Sequence, residues 1–309
     1  MKNKINSAVL QVKGLHISFE RYGKGLRKVN LDVIHSLSLE VFSGEILAVV
    51  GSSGSGKSLL AHAILGILPR NAQVAGTICY QGQKLTPELQ KKYRGTEMML
   101  IPQSVDYLDP LMRVGKQVVG TRGTKQKQEQ AFLRYGLNEE TAKKYPFQLS
   151  GGMARRVLIS TAVVGKPKLI VADEPTPGLN PEIAEETFKH FREFANAGAG
   201  VLLITHDIGL ALQAADRIAV LYAGTVVETA PAKDFQAGKH ALRHPYSKAF
   251  LDALPQNAFA PIAGTQPYAG DLPPGCPFAP RCRLRTPDCA RHIPMRKIRG
   301  GEVRCIHAT

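Results

Sequence analysis

The sequence has no long apolar run. Nothing in its 309 residues approaches the roughly 18–20 consecutive apolar residues of a membrane span; Ile46–Val50 and Val201–Ile204 are only strand-length. The opening MKNKINSAVLQVKG has neither the apolar core nor the cleavage site of a secretion signal, so the chain is expected to stay in the cytosol. There is no heptad run, no internal repeat and no low-complexity tract, which argues against coiled-coil arms and repeat arrays. Acidic residues are few: 25 Asp and Glu stand against 40 Lys and Arg, a formal net charge of +15. That balance suits an anionic partner, whether nucleotide, nucleic acid or the inner face of a membrane, and charge alone does not choose among them. Cysteine is scarce as well. Of five, Cys79 stands alone in an apparent strand and reads as a small core residue. The other four, Cys276, Cys282, Cys289 and Cys305, fall in the last 34 residues. In a cytosolic chain such clustering suggests metal or iron–sulfur ligation over disulfides.

What is present is concentrated at residues 51–58, GSSGSGKS, directly after the apolar run Ile46–Val50. Strand, glycine-rich turn, then Lys-Ser opening a helix is the pattern of a phosphate-binding P-loop. Glycines allow successive backbone N–H groups to turn inward around phosphate oxygens with no Cβ in the way. Gly51, Ser52, Gly54, Ser55 and Gly56 are therefore candidate nucleotide contacts, with Lys57 as a point charge and the helix dipole behind it. The Ser58 hydroxyl is a candidate Mg²⁺ ligand. A chance match in a glycine-rich loop would arise in roughly 1 of 100 chains this long, and the strand-before, helix-after context lowers that further. These features imply a nucleotide hydrolase.

Residues 8–50 form short alternating segments around a basic turn, RYGKGLRK, and predict an antiparallel β layer leading into the P-loop strand. A helix is expected from Lys57 to about Leu68, where Pro69 would stop it. Strands follow near 76–81 and 97–101, and residues 104–166 contain helix formers and no convincing strand. The α/β alternation resumes with strand Lys168–Ala172, helix near 182–195, strand Gly200–Ile204, helix near 208–214 and strand Arg217–Leu221. Alternation of this length implies a parallel sheet covered by helices. From about 255 the composition changes to Pro, Gly, Arg and Cys.

Two further motifs carry chemistry. Leu169-Ile-Val-Ala-Asp-Glu174 is four apolar residues ending in two carboxylates, as expected of a buried parallel strand whose end meets a ligand crevice. Asp173 would hold Mg²⁺ directly or through water, and Glu174 is placed to accept a proton from an attacking water. A strand ending at a helix cap would explain one acid but is the weaker account of two after a P-loop. Ser150, Gly151 and Gly152, within Tyr145-Pro-Phe-Gln-Leu-Ser-Gly-Gly-Met153, precede a helix expected to begin near Met153 and make a second anion-binding helix start. One nucleotide needs no second site from the same chain. The economical explanation, set against a plain serine cap, is a head-to-tail dimer in which this loop closes over the nucleotide of the partner.

In this order and spacing, the P-loop, LSGGM, LIVADEP and LLITHD resemble the ATPase subunit of an ABC transporter, over residues 8 to about 254. The resemblance implies an α/β fold of the P-loop NTPase class. Its ABC ATPase domain would occupy 1–254, with a parallel-sheet core, an antiparallel β layer and a helical subdomain at about 104–166. A small Cys-rich C-terminal extension would occupy 255–309. It also implies that Gln103, in LIPQS, touches Mg²⁺ and the attacking water, and that His206, in ITHD, hydrogen-bonds the γ-phosphate. Phe19 or Tyr22 lies in the region of the adenine-stacking aromatic, where the alternative is simple packing. ATP and Mg²⁺ are the implied cofactors.

His244-Pro-Tyr-Ser-Lys-Ala-Phe-Leu251, followed by Gly275-Cys-Pro-Phe-Ala-Pro-Arg-Cys282, is similar to the C-terminal region of the dipeptide, oligopeptide and nickel uptake ATPases. That branch implies a second homologous ATPase in a heterodimer, two integral membrane permeases and an extracytoplasmic substrate-binding protein. It also implies a peripheral position on the cytoplasmic face of the cell membrane, and an iron–sulfur cluster in the tail. The residues alone allow three readings of that tail. Four thiolates match a four-iron, four-sulfur cluster; the same four could hold Zn²⁺, although paired CxxC spacing is absent; or they are free thiols or disulfides. Residues 276–309 carry eight Arg and Lys against two Asp and Glu, a surplus that would offset an anionic cluster. The segment is short and poor in apolar residues, so a metal staple is expected to hold it.

Two positions depart from the family pattern. Ala154-Arg155-Arg156 replaces an Arg-Gln-Arg type run, and Thr176-Pro-Gly-Leu-Asn180 ends in Asn instead of Asp. Both elements are expected to serve the P-loop of the partner, so the site borrowing this side is expected to be slower than the one built on this chain's own P-loop. A rival reading is a soluble ATPase of the same superfamily acting on nucleic acid or ribosomes, which the net charge would suit. One cassette and no coiled coil argue against it, and no nucleic-acid partner is expected.

Overall fold

The computed structural model describes residues 7–22, 27–120 and 123–309; the middle of the expected RYGKGLRK turn, 23–26, lies outside them. Strands β1 (Ala8–Tyr22) and β2 (Lys28–Phe42) pair antiparallel along their length. Their apolar residues alternate inward: Leu10, Val12 and Ile17 on one strand, Ile34, Leu39 and Val41 on the other, all buried. This is the period-2 pattern of a sheet with one wet face. Strand β3 (Ile46–Val50) is buried at all five positions, as a central strand covered on both faces must be.

Helix α1 (Lys57–Leu65) follows the P-loop and ends earlier than Pro69 would dictate. Gly66 takes a left-handed conformation (φ 65°), and its N–H is donated back to the last turn, so a glycine cap ends the helix before the proline is reached. Strands β4 (Ala72–Tyr80) and β5 (Gln83–Lys84) complete a four-stranded antiparallel layer in the order β2-β1-β4-β5. Helix α2 (Pro87–Tyr93) leads to strand β6 (Met98–Ile101).

Residues 104–166 contain α3 (Val114–Val119), α4 (Lys125–Arg134), α5 (Gly151–Val163) and short 3₁₀ turns, with no strand among the described residues. Val114, Val118, Phe132, Tyr135 and Val157 from these helices bury together with residues of the large sheet, so the helical insert is continuous with the main core.

Strand β7 (Leu169–Asp173), helix α6 (Pro181–Asn196), strand β8 (Gly200–Thr205), helix α7 (Ile208–Ala214) and strand β9 (Arg217–Tyr222) restore the α/β alternation. Strand β10 (Thr225–Pro231) turns back antiparallel on β9. Helices α8 (Ala232–Gln236) and α9 (Pro245–Asp252) precede the tail, whose strands β11 (Arg296–Ile298) and β12 (Gly301–Val303) close the chain's secondary structure. The large sheet runs β11-β12-β10-β9-β3-β8-β7-β6, parallel from β9 to β6.

The tail is folded onto the ATPase core. β12 pairs with β10, matching Glu228 with Val303 and Thr229 with Glu302. The Phe278 ring lies 5.4 Å from that of Tyr222 and 5.3 Å from that of Tyr246, within the range of favourable aromatic contact. Arg243, 1 % exposed, joins the parts electrostatically. Its guanidinium reaches Glu228 at 3.2 Å and Asp234 at 2.7 Å, and donates to the carbonyl of Ile298 in the tail at 2.7 Å. Glu228 is fully buried, and its carboxylate also accepts the backbone N–H groups of Arg243 and His244. Removing one partner of such a pair strands the other charge in the core. Arg243→Ala is therefore expected to lower unfolding free energy by about 3–5 kcal/mol, measured by urea titration, and an unchanged midpoint would contradict the assignment.

Candidate functional site

Three neighbouring strands place the site. β3 pairs with β8 (Val50 opposite Thr205), and β8 pairs with β7 (Ile204 opposite Asp173). Their C-terminal ends lie along one edge, so the P-loop after β3, the carboxylates ending β7 and His206 after β8 become neighbours although they are far apart in sequence. At the turn itself, a Cβ on Gly51 would come within 2.3 Å of the Leu221 carbonyl oxygen, and Gly56 holds φ 98°. Only glycine meets both conditions.

A cavity of about 530 Å³ opens here, bordered by Gly54, Gly56, Lys57, Ser58, Gln103, Glu174 and His206. Lys57 is buried, and its ammonium donates to the carbonyls of Gly51 (2.8 Å) and Ser52 (3.0 Å). Burial pushes its pKa down, while Glu174 and Asp173 facing it push the other way. Burial raises the Asp173 pKa; the hydrogen bond from Ser58 opposes this and the Glu174 charge adds to it. Glu174 Oε1 lies 2.9 Å from His206 Nδ1. Glu174 also sits at φ 48°, a left-handed conformation held by its N–H bond to the Ile204 carbonyl and costing a non-glycine residue about 1–2 kcal/mol.

Within the described residues, Ser55 Oγ, Asp173 Oδ1 and Glu174 Oε2 are buried with no hydrogen-bond partner. Buried polar atoms without partners are costly, and these three lie around the phosphate cradle. A hydroxyl, a carboxylate oxygen free to ligate and a cationic lysine fit a magnesium–triphosphate ion pair.

Gln103 borders the cavity, and its backbone is held by a residue that sequence reasoning had assigned elsewhere. Arg155 was expected to serve the partner; its guanidinium instead donates to this chain's own Pro102 carbonyl at 2.6 Å and to the Gln103 carbonyl. Asp173 and Glu174 also act on it electrostatically. Its signal in the sequence was only a basic pair in the first turns of α5, which reads equally as a solvated face.

The remaining expected site residues lie elsewhere. Phe19 is half-buried against the antiparallel-layer core, and Tyr22 is 69 % exposed. Neither borders the phosphate cavity. Ser150 caps α5, which starts at Gly151, two residues before the expected position, and its hydroxyl accepts the Met153 N–H at 3.3 Å. Ser150 and Gly151 are exposed, and neither they nor Gly152 line the cavity of their own chain. Gly152 lies against the carbonyl of Gly178, and Asn180 caps α6. The Ser150 loop and the Thr176–Asn180 loop therefore form one surface.

The four tail cysteines are free thiols; Cys276, Cys289 and Cys305 are buried and Cys282 is half-buried. Burial, with the neighbouring thiols adding to it, pushes Cys276 up to about 11. Cys289 Sγ lies 3.5 Å from His307 Nε2. No three His, Cys, Asp or Glu side chains among the described residues are arranged to hold a metal ion. β12 pairing, Phe278 packing and Arg243 tie the tail to the core.

Residues 34–177 match the family described as ABC transporter, and residues 227–289 match the oligopeptide/dipeptide transporter C-terminal region. The chain is 34 % identical over 314 residues to the dipeptide transport ATP-binding protein DppD of Bacillus subtilis (strain 168), covering 94 % of this chain and 91 % of that one. It is 35 % identical over 309 residues to DppD of Escherichia coli (strain K12), covering 93 % and 92 %. Among solved structures, a dimeric post-hydrolysis state of the ATP-binding cassette MJ0796 bound to ADP and Pi shares the fold with a TM-score of 0.63. That match has 24 % identity and covers 72 % of this chain and 98 % of that one.

Arg155 offers a direct test of the cavity wall. A lysine cannot span two carbonyls as a planar guanidinium does. Arg155→Lys is expected to slow ATP hydrolysis about tenfold while nucleotide affinity stays within twofold; unchanged turnover would show that the clamp on Gln103 is not needed.

Proposed function

This chain belongs to the ABC transporter family of ATPases, and from that premise we propose that it powers an importer of di- or oligopeptides across the cytoplasmic membrane. The two relatives described above are named for dipeptide transport and neither for nickel, so peptide is the proposed cargo. The alternative of action on nucleic acid or ribosomes has only the net charge in its favour.

In the proposed mechanism the triphosphate lies along the P-loop, where the N–H groups of 54–58 and the α1 N-terminus face its oxygens. Lys57 leaves the Gly51 and Ser52 carbonyls for the phosphates. Ser58, Asp173 and Gln103 would hold Mg²⁺, which when bound neutralises charge developing on the phosphates. Glu174 receives the proton of the attacking water, and His206, beside its carboxylate, steadies it and reaches the γ-phosphate. Phe19 and Tyr22 are both kept as candidates for the adenine face, Phe19 half-buried against the core and Tyr22 exposed.

The observation that carries the reading is the exposure of the Ser150-Gly151 loop away from its own cavity. An anion-binding helix start with no anion to meet in its own chain fits a second ATPase, whose nucleotide it would close over. We assign that role to a homologous subunit in a heterodimer, docked with this chain on the cytoplasmic face of two permeases and served by an extracytoplasmic binding protein. No helix among the described residues is long and apolar enough to cross a membrane, which accords with a peripheral position. A four-iron, four-sulfur cluster on Cys276, Cys282, Cys289 and Cys305 keeps in its favour the count of four thiols and the basic surroundings; zinc has less. No step of the cycle runs through either.

In a reconstituted transporter, Lys57→Ala or Glu174→Gln is expected to abolish uptake while leaving subunit assembly intact. Uptake at the wild-type rate in either variant would contradict the proposal.

A further inference from the structure

The stretch 262–270, between α9 and the cysteines, is strapped across the nucleotide end of the sheet at three points. At its start, Arg281 donates to the carbonyls of Ile262 (2.9 Å) and Ala263 (2.8 Å) and to the Tyr222 hydroxyl (3.2 Å) at the end of β9. At its middle, Gln266 Oε1 accepts the hydroxyl of Ser52 in the P-loop at 2.7 Å. Beyond that, the Tyr268 hydroxyl accepts from Arg21 Nη1 at 3.1 Å at the end of β1, and the guanidinium carbon lies 5.8 Å from the centre of the Tyr268 ring.

Ser52 is a consequential residue to grip. Its carbonyl is one of the two on which the Lys57 ammonium rests. Phosphate binding must draw Lys57 off these carbonyls, so the placing of Ser52 sets where the ammonium waits and how far it moves. A glycine-rich turn has little intrinsic rigidity, and an outside brace reduces the ordering that the ligand would otherwise impose.

We propose that the 262–270 strap braces the P-loop, with Gln266 acting as a positioning residue through the Ser52 hydroxyl, so that the C-terminal region sets this chain's affinity for ATP. The proposal rests on the ATPase assignment and extends it to a segment outside the nucleotide-binding motifs.

The test is equilibrium binding of a fluorescent ATP analogue to the full-length chain, with steady-state kinetics of the assembled ATPase alongside. Lys57→Ala serves as the control for the site itself: if the wild-type chain binds no nucleotide, the ATPase assignment fails, and with it the premise of the brace. With the wild type binding, Gln266→Ala should weaken affinity about fivefold, the worth of one neutral hydrogen bond. The weakening should appear in KM, with kcat at saturating ATP within twofold. In a Ser52→Ala background the same change should add nothing. Tyr268→Ala, which loosens the far end of the strap without touching Ser52, should weaken binding in the same direction by a smaller factor. Wild-type affinity in Gln266→Ala, an equal loss in both backgrounds, or a fall in kcat with KM unchanged would each overturn the brace.

Discussion

The site depends on one constraint: β3, β8 and β7 must lie side by side, in parallel, with their ends level. Each strand is buried throughout, so the apolar interior fixes the register, and the polar residues just past each strand are delivered to one edge. Packing there leaves three buried oxygens unmatched, a lysine resting on loop carbonyls and a glutamate in left-handed backbone. Those are costs to the folded chain. They are removed or turned to use when a triphosphate arrives, which is the expected character of a preorganised anion site.

The C-terminal region shows how a segment too small for its own core becomes ordered. It borrows one. β12 extends the large sheet through β10, Phe278 enters the aromatic cluster of Tyr222 and Tyr246, and Cys276, Cys289 and Ile293 join the main apolar core. The buried pair of Arg243 and Glu228 makes this attachment specific, because neither charge can be buried without the other. Attachment to the end of β9 also carries the 262–270 stretch to the P-loop, which links tail and nucleotide site mechanically.

Much of the layout of the candidate site was legible in the sequence. Gly51–Ser58 after an apolar strand and Asp173-Glu174 ending another have local signatures, because strand ends and helix starts are written in short patterns of residue type, whereas His206 stood out only through the family resemblance. The α/β alternation was readable for the same reason. What escaped has a non-local cause. Strand β10 is buried but carries Thr225, Glu228 and Thr229, and Glu228 makes sense only beside Arg243, fifteen residues further on. Strands β11 and β12 are three residues each and exist by pairing, β12 with β10 and β11 with β12. Arg155 was assigned to the site of the partner because its own contacts are backbone carbonyls of Pro102 and Gln103, which no residue pattern announces. The packing and pairing that hold the tail, through Phe278 and β12, likewise have no signature in the cysteine spacing.

The central claim is that each nucleotide site is completed only by the Ser150-Gly151-Gly152 loop of a second ATPase. The most direct measurement is ATP turnover per subunit against concentration, for this chain alone and with its partner ATPase. A Ser150→Arg variant would be compared under the same conditions. The expected result is turnover that rises with concentration and with added partner, and that is lost in the variant while nucleotide binding to its own P-loop persists. Full activity in the dilute monomer, indifferent to the Ser150 change, would contradict it.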